Sequence, residues 1–261
     1  MARICPLFSG SSGNSTLIGS GGQYILIDIG RNAKMTAAAL SDCEVEPSRI
    51  GAIFITHEHA DHIKGLRVFA AKYNIPVYAS EGTLRELERG GHLAKVDARL
   101  FSSNGEDVAG MHIDSFRTMH DTPESCGYIV HTADGRRAAV ATDMGCVTDT
   151  VRTAVTGCDT LLIESNHDVR TLENGPYPYY LKRRILSDNG HLSNTACAKE
   201  LTELVRKGTT RIILAHLSRE NNLPVLAYQT ALEALTSGGM REKRDFELQV
   251  APSCNGAVTL F

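Results

Sequence analysis

No stretch of this 261-residue chain approaches the roughly 20 consecutive apolar residues of a membrane-spanning helix, so no membrane insertion is expected. Met1 to Phe8 carries one arginine and no long apolar run, which reads as a strand rather than a secretory signal. With no targeting segment, the cytoplasm is the expected compartment. Aromatic residues are only 6% of the chain, tryptophan is absent, and no aromatic–basic stripe suited to stacking single-stranded nucleic acid stands out. Phe101 and Tyr177 to Tyr180 are available for such contacts, but loop packing accounts for them equally well. The seven cysteines (Cys5, Cys43, Cys126, Cys146, Cys158, Cys197 and Cys254) are odd in number and contain no CxxC pair. That spacing points to reduced, mostly buried thiols rather than a disulfide framework or a cysteine metal site. The turn-rich SGSSGNS stretch, Ser9 to Ser15, lacks the lysine of a P-loop.

What the chain does have is enough material for a large core. Hydrophobic residues are 42% and charged residues 22%, so one globular domain over 1–261 is expected. The formal net charge of −3 neither points to nor excludes nucleic acid, because bound metal adds positive charge and a local basic patch can sit on an acidic protein. Lys182, Arg183 and Arg184 form the one dense cationic cluster, read first as a solvated helix face. Strands are expected at Ile4–Phe8, Thr16–Ile18, Tyr24–Ile29, Ala52–Ile55, Val77–Ala79, His112–Phe116, Ser125–His131, Arg137–Ala141, Thr160–Glu164, Arg211–Ala215, Phe246–Val250 and Ala257–Phe261. Helices are expected at Asn32–Leu40, His62–Tyr73, Thr83–Arg89, Thr195–Arg206 and Leu223–Leu235. This is a sheet-rich α/β chain. Periodicity does not choose between one wound sheet and two sheets flanked by helices.

The chemistry concentrates in Ile53 to His62, IFITHEHADH. An apolar strand ends, and His57, His59, Asp61 and His62 follow at once. His57 and His59, two apart in extended chain, project the same way. Asp61 and His62 open a helix, where Asp61 is also placed to cap exposed amides. Imidazole and carboxylate together suit zinc, manganese or iron without selecting one. Further donors follow other apolar strands: His120, Asp143 and His216, each where loops on a rigid sheet carry function.

The HxHxDH segment, followed by His120, Asp143 and His216, resembles the metallo-β-lactamase-fold hydrolases. Asp28, ending the LID segment, is similar to that family's early aspartate. The resemblance implies a four-layer αβ/βα sandwich and two divalent metal ions. His57, His59 and His120 would hold one ion, and Asp61, His62 and His216 the other. Asp143 would bridge them, with Asp28 orienting the histidine loop. Within the fold, SGSSGNST, THEHADHIKGL, ESNHD and GHLSN together resemble the WalJ/VicX/YycJ exonuclease branch. That resemblance implies 5′-to-3′ hydrolysis of DNA.

Two close divalent ions suit phosphodiester hydrolysis by an activated water, which Asp61 would help to orient or deprotonate. As in the RNA-processing nucleases of the family, Glu164 would pair with His191, the proton donor to the leaving oxygen. Ser11 and Asn14 in the small-residue loop, Asn166 and His167 after the LLIE strand, Ser193 and Asn194 at a helix start, and Ser218 and Arg219 beyond His216 are the candidate substrate contacts. DNA is the expected substrate. A small-molecule or cyclic-nucleotide phosphodiesterase, an RNA nuclease and a thioester hydrolase are the alternatives.

Overall fold

The computed structural model describes residues 1–261. Its strands are β1 (Arg3–Phe8), β2 (Ser15–Ser20), β3 (Gln23–Ile27), β4 (Ile50–Phe54), β5 (Val77–Ala79), β6 (Ala98–Leu100), β7 (Glu106–Val108), β8 (Met111–Arg117), β9 (Cys126–His131), β10 (Arg137–Ala141), β11 (Thr160–Glu164), β12 (Arg211–Ala215), β13 (Glu247–Val250) and β14 (Thr259–Leu260). Its helices are α1 (Ala33–Asp42), α2 (Ala60–Ile63), α3 (Leu66–Tyr73), α4 (Glu81–Arg89), α5 (Asp149–Val155), α6 (Val169–Asn174), α7 (Tyr179–Ile185), α8 (Asn194–Arg206) and α9 (Pro224–Ser237). The chain divides into a first unit (Met1–Ser115, Thr122–Arg136, Pro252–Phe261) and a second (Phe116–Asp121, Arg137–Ala251).

The first unit is built on a seven-stranded sheet in the order β14-β1-β2-β3-β4-β5-β6. Pairing is antiparallel from β14 to β3 and parallel from β3 to β6. Leu26 and Ile27 register with Ile53 and Phe54, and all four are buried, as the near-continuous apolar runs of parallel strands require. Leu17, Leu26, Ile53 and Val77 share a core with Leu40 of α1 and Phe69 of α3. The antiparallel β7–β8 ladder belongs to the same unit through Glu106↔Ile113.

The helix expected over His62–Tyr73 is two helices, because the chain must pass Gly65. A Cβ there would lie 2.2 Å from the Arg31 carbonyl oxygen, and its N–H donates to the Ile29 carbonyl at 2.9 Å. That close approach breaks the helix and ties it to the end of β3.

The second unit is a parallel β10-β11-β12-β13 arrangement, with Leu162 registering on Ile213 and Ile213 on Gln249. Helices connect the strands, as parallel pairing demands. Asp143, Glu164 and His216 all fall at or just past the C-terminal ends of these strands, where open α/β sheets place ligands. In neither unit is a helix long and apolar enough to cross a membrane.

All seven cysteines are free thiols. Two of them meet: Cys5 on β1 and Cys43 at the C-cap of α1 have their sulfurs 3.5 Å apart. The hydrogen bond between the two sulfurs brings the Cys43 thiol down to about 7 against the opposing effect of burial, while Cys5 itself is pushed up. A lowered thiol is a thiolate above its own pKa, so Cys43 should alkylate with a rate that rises through neutral pH. Iodoacetamide labelling and then peptide mapping should find Cys43 modified first. Removing its partner by Cys5→Ala should move the rise to higher pH; an unchanged profile would contradict the coupling.

Candidate functional site

In the first unit the histidine loop starts where β4 runs out. Tyr128, fully buried, donates its hydroxyl to the Ile55 carbonyl at 2.7 Å and fixes the base of the loop. Asp28, buried just after β3, organises the loop beyond that point. Its Oδ1 accepts the Thr56 N–H at 2.8 Å, and its Oδ2 accepts both the Thr56 hydroxyl and His62 Nδ1–H, each at 2.8 Å. Thr56 has one hydroxyl proton and gives it to Asp28. Its oxygen therefore accepts from His57 Nδ1–H at 3.0 Å. Both imidazoles are thereby held with the proton on Nδ1 and the lone pair on Nε2, the tautomer of a histidine that ligates through Nε2.

His57 packs against the rings of His59 and His62 at centroid distances of 4.6 and 4.1 Å. His59 is the N-cap residue of α2 but makes no side-chain cap bond. Asp61 lies in the first turn of α2, two residues past the N-cap position that His59 takes. Asn14 anchors this end. Its Nδ2 donates to His62 Nε2 at 3.0 Å and to Asp61 Oδ2 at 3.3 Å, while its Oδ1 accepts the Gly10 N–H at 2.8 Å. The Asp61 carbonyl approaches Gly30 so closely that a Cβ there would sit 1.7 Å away.

In the second unit one carboxylate is the hub. Glu164, wholly buried at the end of β11, accepts His191 Nδ1–H and His216 Nδ1–H on Oε1, both at 2.8 Å. Its Oε2 accepts the Met144 N–H at 2.9 Å and the Leu192 N–H at 3.1 Å. Burial alone would push this carboxyl up. The charge of His191 and the hydrogen bonds from His191 and His216 outweigh burial and bring it down to about 2. For His191 burial favours the neutral form, but the Glu164 carboxylate beside it prevails and raises the imidazole. His120 donates Nδ1–H to the Gly190 carbonyl at 3.0 Å, so its Nε2 too carries the lone pair.

The Asp143 Oδ1 lies 3.4 Å from His216 Nδ1 and 3.8 Å from His120 Nε2. Asp143, Glu164, His191 and His216 offer donor atoms all within 4.8 Å of one another, a group able to hold a metal ion. With Glu164 fully occupied by four N–H donors, Asp143 is the carboxylate of that group suited to ligation.

The remaining expected contacts fall in two settings. Ser11 and Arg219 are exposed and Ser193 half-buried, with the Ser193 hydroxyl capping α8 through the Ala196 N–H at 3.2 Å. Asn166, Asn194 and Ser218 are buried and committed within the unit. Asn166 Nδ2 donates to the His216 carbonyl at 2.8 Å, Asn194 exchanges hydrogen bonds with Asn222, and Ser218 accepts the Asn221 N–H. His167 is 1% exposed, and neither ring nitrogen has a hydrogen-bond partner. Burial lowers it to about 4, so it is neutral. Sequence reasoning placed Asn222 with Ser218 and Arg219 near a phosphate, but passed over Thr56 and Gly190, whose roles rest on contacts that residue type does not announce. The threonine that opens THEH was the one signal.

A family profile described as a beta-lactamase superfamily domain matches residues 23–217. "Exodeoxyribonuclease YycJ" of Bacillus anthracis is 37% identical over 244 residues, covering 93% of this chain and 92% of that protein. "Exodeoxyribonuclease WalJ" of Streptococcus pneumoniae is 37% identical over 248 residues, 93% of this chain and 91% of its own length. The chain belongs to the metallo-β-lactamase superfamily, on its YycJ/WalJ branch. The solved metallo-β-lactamase fold protein YhfI from Bacillus subtilis superposes with a TM-score of 0.74 at 15% identity, covering 100% of both chains. The fold class is thus the α/β metallo-β-lactamase sandwich, two sheets flanked by helices, and the wound-sheet alternative falls away. The enzyme class is that superfamily's metal-dependent hydrolases.

Asp28→Asn should keep the left-handed backbone, φ 61°, that asparagine tolerates, while weakening the hold on His62 and Thr56. Loss of such an outer carboxylate costs roughly 10- to 100-fold in metal affinity. Calorimetric zinc titration of the folded variant should show that loss; wild-type affinity would contradict the role given to Asp28.

Proposed function

We propose that the protein is a metal-dependent exodeoxyribonuclease, hydrolysing DNA phosphodiester bonds in the 5′-to-3′ direction. The carrying observation is that Glu164 holds His191 and His216 through the same oxygen, at 2.8 Å each. One buried carboxylate thus serves a ligand and a proton donor together, the pairing a phosphodiesterase with a poor leaving group needs. The names of the YycJ and WalJ relatives support DNA as the polymer.

The proposed ligands are His57, His59, Asp61 and His62 from the first unit and His120, Asp143 and His216 from the second. The Nδ1 hydrogen bonds of His57, His62, His120 and His216 fit this assignment, since each presents Nε2 as donor. Imidazole and carboxylate suit two divalent ions such as zinc, manganese or iron. Such ions, when bound, lower the pKa of water and neutralise charge on phosphoryl oxygens.

The chain's own groups supply the rest. Asp61 orients the attacking water and takes its proton. Asp28 and Thr56 keep His57 and His62 in the ligating tautomer. His191, its Nδ1–H on Glu164, delivers the Nε2 proton to the departing sugar oxygen, and the fixed Glu164 charge stabilises the imidazolium before transfer. Asn166 holds the His216 backbone and Asn14 the Asp61–His62 pair, so both act by positioning. Ser11, Ser193, Ser218 and Arg219 remain the proposed substrate contacts, with His167 and Asn194 beneath them. Residues 1–261 act as one hydrolase domain, and the proposed compartment is the cytoplasm.

Demetallated protein supplied separately with manganese, iron or zinc should release nucleotides from end-labelled DNA. Turnover confined to RNA, a cyclic nucleotide or a thioester would contradict the reading. His191→Ala should lower DNA hydrolysis by roughly 10²- to 10⁴-fold. The same variant should keep most of its turnover of bis(p-nitrophenyl) phosphate, whose nitrophenolate leaves without a proton. Equal losses on both substrates would remove His191 from the acid role.

A further inference from the structure

Helix α7 carries a surface that the hydrolytic centre does not use. Tyr179 and Tyr180 are 75% and 74% exposed, far beyond what a folded chain ordinarily leaves of two consecutive aromatic rings. Of the other aromatic residues considered for such contacts, Tyr177 is half-buried and Phe101 is packed on Phe54 and Tyr128 with ring centroids 6.0 and 5.5 Å apart. The last turn of α7 is Lys182, Arg183 and Arg184, and its first turn holds no acidic residue.

This helix is fastened to the loops that carry His120 and His191. The His191 N–H donates to the Ile185 carbonyl at 3.0 Å, and a Cβ on Gly190 would lie 2.2 Å from that same carbonyl oxygen. Arg184 Nε donates to Asp121, the neighbour of His120, at 2.6 Å. The helix therefore cannot shift without moving the proton donor.

Cations at a helix C-terminus also suit the helix dipole, which accounts for the charges but not for the tyrosines. Exposed rings beside cations match the chemistry of a nucleic-acid strand, whose bases stack on aromatic faces while its phosphates meet Lys and Arg. On a chain of net charge −3, a local cationic helix is also where a polyanion meets least repulsion.

We propose that α7 is a docking element for a DNA strand with unstacked bases: Tyr179 and Tyr180 stack terminal bases, and Lys182 and Arg183 contact the adjoining phosphates. This rests on the exodeoxyribonuclease reading and adds to it the surface that delivers the strand. Stacking on this helix holds the frayed terminal bases of a DNA end.

The test uses the full chain, with fluorescein-labelled oligodeoxythymidylate as the binding probe in chelator, and with metal restored for turnover. Tyr179→Ala/Tyr180→Ala should weaken binding by about tenfold or more and raise KM for DNA similarly, leaving bis(p-nitrophenyl) phosphate turnover near wild type. Tyr179→Phe/Tyr180→Phe, which keeps the rings, should retain binding. Lys182→Ala/Arg183→Ala should flatten the salt dependence of binding. Unchanged oligonucleotide affinity in the alanine variant overturns the proposal. So does an equal fall in aryl phosphodiester turnover, which would make α7 a support for the centre rather than a strand contact. A wild-type protein that neither binds nor degrades DNA would instead overturn the exodeoxyribonuclease reading itself.

Discussion

The chemistry proposed for this protein depends on fixing imidazole protons. His57, His62, His120, His191 and His216 each donate through Nδ1 to an oxygen supplied by the same unit: the Thr56 hydroxyl, Asp28, the Gly190 carbonyl and, twice, Glu164. A free imidazole exchanges its proton between two nitrogens and rotates about two bonds. A tethered one presents a single donor atom in one direction, which lowers the entropic cost of gathering ligands. The carboxylates that do the tethering are themselves saturated: Glu164 accepts four N–H groups and Asp28 three donors. Buried charges of this kind persist only when so paired.

The backbone bears a cost for the same arrangement. Asp28, Asp143 and His216 are held at φ 61°, 55° and 55°, in the left-handed region that side chains other than glycine seldom enter. Each comes just after a buried strand, β3, β10 or β12, whose ladder over-determines the chain direction up to that point. Strain of order 1–3 kcal/mol per residue collects at such sites when the surrounding fold holds it in place. The turn it forces re-aims the side chain off the end of the sheet, which a continuing strand would not do. Gly30 and Gly65 answer to the same shortage of space, since no side chain fits where the Asp61 and Arg31 carbonyls pass.

Much of this was legible in the residues because the motif is local. THEHADH compresses four donors into six positions, and an apolar run before each of Asp143, Glu164 and His216 marked a strand end. The buried strands and long amphipathic helices α8 and α9 announced themselves through period and apolar content. What stayed hidden was non-local or locally ambiguous. The short strands β6 and β7, with charged or exposed residues at most positions, exist through their neighbours. The helices α5, α6 and α7 are too brief to show a stripe. Asn166 and Asn194 read as substrate contacts because asparagines near a site often are, yet the Asn166 amide donates to the His216 carbonyl and the Asn194 amide exchanges hydrogen bonds with Asn222. The pairing of Cys5 with Cys43 across 38 residues has no sequence signature at all.

The central claim is best tested on the imidazoles themselves. A long-range ¹H–¹⁵N correlation spectrum of histidine-labelled, metal-free protein at neutral pH reports which ring nitrogen bears the proton. The account predicts Nδ1–H tautomers for His57, His62, His120 and His216, with their Nε2 signals moving on zinc addition while the Nδ1 protons remain. Nε2–H tautomers at these positions, or zinc displacing the Nδ1 protons, would contradict it.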